Sequence, residues 1–359
     1  MVKAKTKQKS KLKIALIIVA AALVLIFTAG MIATSTLMGK NFRRGDYTDA
    51  RFTTEYHYEH YKTDYPREKV EFQSGKNTLK GFIYGGAEND KGLLVFAHGI
   101  GSGHEHYIKN LMWFVDEGWR VFAYDATGSG YSEGDGTRGL SQSALDLDAA
   151  LTFVENDERL NSLPVCLMGH SWGGYAVTAV LNFDHKISAV ASISGYNEPL
   201  EMILEEAEGM MGGFRYAMVP FIWTYNTSLF GKYAGMTAVD GINKSDVPVL
   251  IIHGTDDKKI GYDKSSIISE RARITNPNAE YLTLNGIAHS NMFYTDEARE
   301  YIDKFNAEYQ KVYDSYGGEI PDTEREKIYA DSDRELVNTP NKELLSQIES
   351  FFLTWVTGN

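Results

Sequence analysis

"LMGHSWGGYA" occupies residues 167–176 and sets a serine, Ser171, between Gly169 and Gly173, with Gly174 directly behind. The apolar run LPVCLM leads in, and the helix-like run YAVTAVLNF leads out. A chain that passes from strand to helix through one residue turns sharply there. The central residue is held in a strained conformation with its side chain pushed outward, and neighbouring backbone passes very close. Only glycine leaves room at the flanking positions. The helix begins beside the serine, so its free N–H groups and positive dipole end face any negative charge that forms there. The pattern G-x-S-x-G reads as a nucleophile elbow. It calls for a base, an acid and oxyanion donors elsewhere in the chain.

The flanking sequence reads as strands alternating with helices. VEFQSGKNTLKGFIYGG (70–86) alternates around Ser74-Gly75-Lys76-Asn77 and predicts a hairpin. GLLVFAHG (92–99), RVFAYDATGSG (120–130), KISAVASISG (186–195), VPVLIIHG (247–254) and AEYLTLNG (279–286) predict further strands, mostly continuous apolar runs suited to burial on both faces. HYIKNLMWFVDEG (106–118) has helical spacing and stops at Gly118. SQSALDLDAALTFVEND (141–157) predicts an amphipathic helix capped by Ser141. The alternation calls for a mainly parallel sheet covered on both faces. Two stretches break the rhythm. Residues 196–246 are rich in Met and aromatics, and 296–341 are highly charged, with one helix carrying Ile302, Phe305, Tyr309, Val312 and Tyr316 on one side. The last stretch, LLSQIESFFLTW, should pack back on the sheet.

In such a sheet, reactive residues gather beyond the carboxyl ends of the strands. Asp257 directly follows VLIIHGTD, and His289 follows the last strand in LNGIAHSNM. The order Ser171, Asp257, His289 is the one this fold uses for nucleophile, acid and base. His289 would take the serine proton, and the carboxylate would hold the imidazole in its useful tautomer. Glu198, in GYNEP after the preceding strand, is the rival acid. His104 and His106 form no recognised metal spacing and read as solvent-facing loop residues; no metal and no cofactor is expected. His170 and His253 read as filler beside the site, and Asp125 as a pin for its loop.

At this point the chain resembles the α/β-hydrolase superfamily over roughly residues 68–359. HGIGSG (98–103), DATGSGYSEG (125–134), GHSWGG (169–174), HGTDD (253–257) and the His289 loop carry the resemblance. It is most similar to the monoacylglycerol lipase and aminopeptidase-like branch, and departs from it at Ala126-Thr127, where an arginine is common. The resemblance implies an oxyanion hole from the backbone N–H groups of Ile100 and Trp172. It also implies an acyl-enzyme mechanism on a carboxylic ester, lipid or acylglycerol-like. A serine aminopeptidase is the alternative, with Glu201, Glu205, Glu206 and Glu208 available for a free amino terminus. A catalytically silent, membrane-tethered binding protein of the same fold is a third reading. Residues 196–246 look like a cap, with Met211, Phe214, Phe221 and Trp223 as candidate substrate-binding residues, and Met210, Tyr216 and Tyr225 beside them.

The N-terminus differs from the rest. Six lysines occupy every odd position from Lys3 to Lys13, and Ile14–Gly39 then runs without a charge. At about 1.5 Å per residue that run exceeds the roughly 30 Å of a bilayer core. It reads as a retained anchor. A cleaved signal peptide, cut among the small residues of Ala29–Ala33 to release a secreted protein, is the alternative. The lysine excess predicts a cytoplasmic N-terminus and an extracytoplasmic body at the cell membrane. The net charge is −12, and setting aside those six lysines leaves 30 basic against 48 acidic residues, or −18. Such a body is unsuited to nucleic acid, which needs a basic face. Its expected partners are a small-molecule or lipid ester and the membrane. The 359 residues suffice for one large α/β domain with additions, or two smaller domains. Cys166, the single cysteine, lies in the elbow strand as a small buried apolar residue and excludes a disulfide-stapled fold. The organisation expected is a basic tail (1–13), a transmembrane helix (14–39), a loosely packed linker (40–67), a first core part (68–195), a cap insertion (196–246) and a second core part (247–359) with the charged insertion 296–341.

Overall fold

The computed structural model describes residues 2–356, with side chains from Lys11 onward, so most of the lysine tail lies outside the described side chains. Helix α1 (Val2–Asn41) is one uninterrupted helix. Its segment Lys11–Asn41 is long and apolar enough to cross a membrane. A short turn of helix, α2 (Tyr58–Tyr61), precedes the sheet. The sheet holds β1 (Arg67–Ser74), β2 (Asn77–Tyr84), β3 (Leu93–Ala97), β4 (Arg120–Asp125), β5 (Val165–His170), β6 (Ala189–Ile193), β7 (Val249–Gly254) and β8 (Ala279–Leu284). Their spatial order is β1-β2-β4-β3-β5-β6-β7-β8. β1 and β2 pair antiparallel as the predicted hairpin, β2 meets β4 antiparallel, and all other pairs are parallel.

Burial on both faces explains the apolar runs. Along β3, Leu93, Val95 and Ala97 enter one core, and Leu94 and Phe96 enter the other. In β5, Leu167 faces the first core while Cys166 and Met168 face the second. The first core is covered by α4 (Gln142–Asn156) and α5 (Trp172–Ala179), through residues such as Leu147, Leu151, Tyr175 and Val177. The second is covered by α3 (Ile108–Asp116) and, near the C-terminus, by the predicted helix over LLSQIESFFLTW, which inserts Leu345, Ile348 and Phe352. The side chain of Ser141 makes no capping hydrogen bond at α4, contrary to expectation.

The two irregular stretches are helical. Between β6 and β7 lie α6 (Pro199–Met211), α7 (Val219–Phe230) and α8 (Ala238–Lys244). Ala238 and Ile242 of α8 belong to the first core beside α5, so α8 is part of the body and the protruding insertion is shorter than 196–246. After β8 come α9 (Asp296–Ser315), α10 (Asp322–Ala330), α11 (Arg334–Val337) and α12 (Lys342–Val356). The charged region therefore forms three helices rather than one.

Residues 40–67 are not a loose linker. Gly45 N–H donates to Gly128 O (2.9 Å), and Gly45 O accepts from Gly130 N–H (2.8 Å). Tyr47 Oη–H donates to the buried carboxylate of Asp125 at 2.8 Å. The segment ends in a buried ion pair, Arg67 Nη1 to Glu105 Oε1 at 2.9 Å, with side chains 4% and 2% exposed. The Arg67 guanidinium also lies 3.6 Å from the Tyr58 ring centroid and 4.2 Å from that of Phe82. The polar, tyrosine-rich segment is thus pinned to the body at several points by hydrogen bonds and an ion pair.

Arg67→Met should leave Glu105 buried without its partner. The expected loss is about 3–5 kcal/mol of stability, read as a lowered denaturation midpoint of the full-length protein in detergent. A midpoint unchanged from wild type would mean the pair does not hold this segment.

Candidate active site

The elbow has the geometry its glycines foretell. Ser171 sits at φ 57° and ψ −112°, a conformation that residues with a side chain rarely adopt. A Cβ on Gly169 would lie 2.2 Å from Gly173 O, and one on Gly173 would lie 1.9 Å from Ala97 O. One on Gly174 would lie 2.7 Å from Ile193 O. Three strand-end backbones thus converge at the serine, which no larger residue at these positions permits.

Ser171, Asp257 and His289 are brought together. Ser171 Oγ lies 2.8 Å from His289 Nε2. His289 Nδ1 lies 2.6 Å from Asp257 Oδ2. Asp257 Oδ1 accepts from the N–H groups of Lys259 and Ile260, each at 2.9 Å. Burial opposes ionisation of this carboxyl. The hydrogen bonds from His253 and His289, with that of Ile260 N–H, outweigh burial and hold its pKa well below the usual carboxylate range. The contact is made possible by Gly254, where a Cβ would stand 2.1 Å from Ile287 O of the histidine loop. Glu198 instead occupies the N-cap position of α6.

His170 does more than fill space. Its Nε2–H donates to His289 O at 3.0 Å, and its Nδ1 accepts from Tyr107 Oη–H at 2.8 Å. Tyr107 Oη in turn accepts from Gly99 N–H at 3.2 Å. Burial, and then the neighbouring His289, push the His170 pKa down to about 3, which keeps the ring neutral. One chain of hydrogen bonds therefore ties together the loop after β3, the elbow and the histidine loop. His253 Nε2–H is shared between Ile260 O (2.9 Å) and Asp257 Oδ2 (3.2 Å).

Ile100 and Trp172 line the same cavity as Ser171 and His289. Their backbone N–H groups find no acceptor among the described residues, and Trp172 is the first residue of α5. The cavity measures about 530 Å³, and its walls include Glu55, Lys109, Met202, Glu206 and Tyr294. Glu55 accepts from Tyr294 Oη–H at 2.7 Å. Lys109 Nζ donates to Val337 O at 2.6 Å and lies 3.8 Å from the centroid of the Tyr294 ring. Sequence reading missed Glu55, Lys109, Met202 and Tyr294, since each reaches the cavity through distant packing; Glu206 alone was among its candidates.

Other expectations are corrected. Met211, Phe214, Phe221 and Trp223 are not among the cavity's lining residues. Phe214 and Trp223 are 80% and 60% exposed, and Phe221 packs on α1. His104 is fully buried, not solvent-facing, and bonds Asp125 through Nδ1 at 2.8 Å, while His106 reaches the cavity wall. Asp125 pins its loop as expected, accepting also from Tyr131 N–H at 2.8 Å. Of the four glutamates considered for an amino terminus, only Glu206 lines the cavity; Glu205 holds Gly261 and Ser265, and Glu208 pairs with Arg215 and Lys264.

A mainly parallel, doubly covered sheet with a strained serine between its fifth strand and the next helix is the architecture of the α/β-hydrolases, and the chain has that fold. Within it, residues 88–214 match the family model described as serine aminopeptidase, S33. The uncharacterized protein YqkD of Bacillus subtilis is 26% identical over 224 residues, covering 59% of this chain and 72% of the relative. The lysophosphatidylserine lipase ABHD12 of Danio rerio is 23% identical over 198 residues, covering 54% of this chain and 49% of the relative. Among solved structures, the Pyrococcus furiosus esterase Pf2001 superposes with a TM-score of 0.53 at 17% identity, covering 76% of this chain and 98% of that one. The chain is thus similar to hydrolases that include an esterase and a lipase.

The buried Lys109 gives a pH test of the cavity wall. Burial pushes its pKa down to about 8, partly opposed by the charge of Glu55. The unfolded chain keeps this proton up to about 10.4. Between those values the unfolded state binds more protons, so stability should rise as pH increases through that window. Lys109→Met should remove this rise, measured by denaturant titration of the full-length protein in detergent at several pH values. A rise that persists in the variant would assign it to another group.

Proposed function

We propose that this protein is a membrane-anchored serine hydrolase of carboxylic esters, lipid or acylglycerol-like. The observation that carries the reading is the unbroken row from Ser171 Oγ through His289 to Asp257, at 2.8 and 2.6 Å, opening on one cavity. His289 Nε2 takes the hydroxyl proton as Ser171 Oγ attacks the acyl carbonyl. The free N–H groups of Ile100 and Trp172 receive the developing oxyanion, and losing one such donor costs about 2.7–4 kcal/mol in related chemistry. His289 then protonates the departing alcohol. A water activated by the same imidazole attacks the acyl-enzyme, releasing the acid and restoring the Ser171 hydroxyl. Asp257, held ionised, stabilises the imidazolium in both halves.

A serine aminopeptidase is the second reading. It is favoured by the family match and by Glu55 and Glu206 on the cavity wall, where an ammonium would find a carboxylate. A series of p-nitrophenyl esters of increasing chain length, run beside aminoacyl anilides, separates the two. Ser171→Ala or His289→Ala should lower ester turnover by about a million-fold, and Asp257→Asn by about ten-thousand-fold. Combined variants should lose little more than the worst single one. A fluorophosphonate probe should label wild type and not Ser171→Ala. Labelling of neither would favour a tethered binding protein, and anilides turned over faster than every ester would favour the peptidase.

The same reading makes α1 a retained single-pass anchor, lysine tail in the cytoplasm and the body outside. Packing before the possible cut supports retention, since Phe27 lies against Phe221 of α7 with ring centroids 5.6 Å apart. Carbonate-washed membranes should keep the protein in the pellet, and protease added to spheroplasts should digest the body. A soluble mature protein starting near Met31 or beyond would mean a cleaved signal. A body protected from protease would mean the reverse orientation.

A further inference from the structure

The insertion presents an apolar surface that is left largely open among the described residues. From Gly209 to Phe230 the chain holds a single charged residue, Arg215, and that one is paired with Glu208. Met210 is 74% exposed, Phe214 80%, Tyr216 60% and Trp223 60%. A cap that served only to cover the site would turn such residues inward.

The place of this surface along α1 says what covers it. Phe221 of α7 packs on Phe27, with ring centroids 5.6 Å apart. It also lies so close to Gly30 that a Cβ there would come within 2.3 Å of its ring. If the bilayer core begins where the charges end, at Ile14, Phe27 lies about 20 Å along the helix and Gly30 about 24 Å. The core extends for roughly 30 Å. The contact with α7 thus falls about 6–10 Å inside the far edge of the hydrocarbon, the depth at which helices lying in the interface rest. Helix α1 cannot span while leaving Phe221 and its neighbours in water.

We infer that the insertion from Met210 to Trp223 is a second membrane contact, seated in the lipid leaflet on the body's side of the bilayer. This rests on the reading of α1 as a spanning helix. Helix α6 joins the docked surface to the cavity. Met202 and Glu206 on α6 line it, and Met210, at the exposed end of the same helix, is eight residues from Met202, about 12 Å. An ester drawn from that leaflet would reach Ser171 along one helix, without crossing bulk water.

Trp223 is a natural probe. The full-length protein is reconstituted into phosphatidylcholine vesicles, with and without bromine on the upper part of the acyl chains, and carbonate resistance is read on the same vesicles. Retention together with a loss of tryptophan emission in brominated lipid is expected. That loss should vanish in Trp223→Phe and persist in Trp355→Phe, the control for the other exposed tryptophan. Retention with no Trp223-dependent loss overturns the membrane contact and leaves the anchor standing. If Phe214→Cys then cross-links between copies, the surface is an interface with a second copy instead. Release by carbonate overturns the anchor and this inference together.

Discussion

The approach of the Gly173 backbone to Ala97 O, where a Cβ would stand 1.9 Å away, is the constraint on which the site depends. It forces the elbow and the end of β3 into contact, and the pairing of Ala97 with Gly169 sets their register. Two loops that leave neighbouring strands then emerge side by side. Ile100 and Trp172 thereby come to line one cavity beside Ser171. The strain at Ser171, of order 1–3 kcal/mol for a residue in a sparse region of backbone space, is sustained because β5, β6 and α5 fix the residues on either side. Ser171 N–H itself donates to Ile193 O at 2.8 Å.

Electrostatics divides two neighbouring histidines. His170 and His289 have ring centroids 4.9 Å apart, yet only His289 faces a carboxylate. His170 is kept neutral by burial and works as a two-ended hydrogen-bond spacer from Tyr107 to the His289 carbonyl. Ser194, another residue at positive φ, also donates to that carbonyl at 3.3 Å. The histidine loop is therefore held by its backbone, which leaves the imidazole free for proton transfer. Asp257 is held from the other side by two backbone N–H groups, so its orientation does not depend on His289 alone.

How much of this could be read from sequence follows from the range of each interaction. The central strands were legible because burial on both faces turns them into continuous apolar runs, and Ser171 and Asp257 because each follows such a run; His289 follows the partly exposed edge strand β8 and was found by its order after them. The cavity wall was not legible. Glu55 meets Tyr294 across 239 positions, and Lys109 meets Val337 across 228; no local pattern announces either pairing. Phe214 and Trp223 were misplaced for another reason. Periodicity tells an inner face from an outer one only where a polar face provides contrast, and a stretch with one charged residue provides none. His104 and residues 40–67 read as solvated because a polar composition does not reveal that its partners are one another.

That last misreading leads to the way the parts of the chain are joined. The segment leaving α1 first pairs through Gly45 with the loop after β4, then places Tyr47 on Asp125, then sets Glu55 on the cavity wall, and ends at Arg67 against Glu105. Replacing a buried ion pair by apolar residues is often neutral or stabilising, so such a pair is weak evidence for stability alone. Here its geometry suggests register. Arg67 is tied to Glu105 and His104 of one helical turn and to Tyr84 of β2. A shift of the segment by one residue would leave both charges unpaired in the interior. The apolar helix and the wall of the cavity are thus parts of one stretch of chain, fixed at several points. Because α7 also rests on that helix at Phe27 and Gly30, and α6 carries Met202 into the cavity, the helix meets the cavity from two sides. A displacement of α1 relative to the body would have to break both connections, and so the orientation of the cavity follows that of the helix.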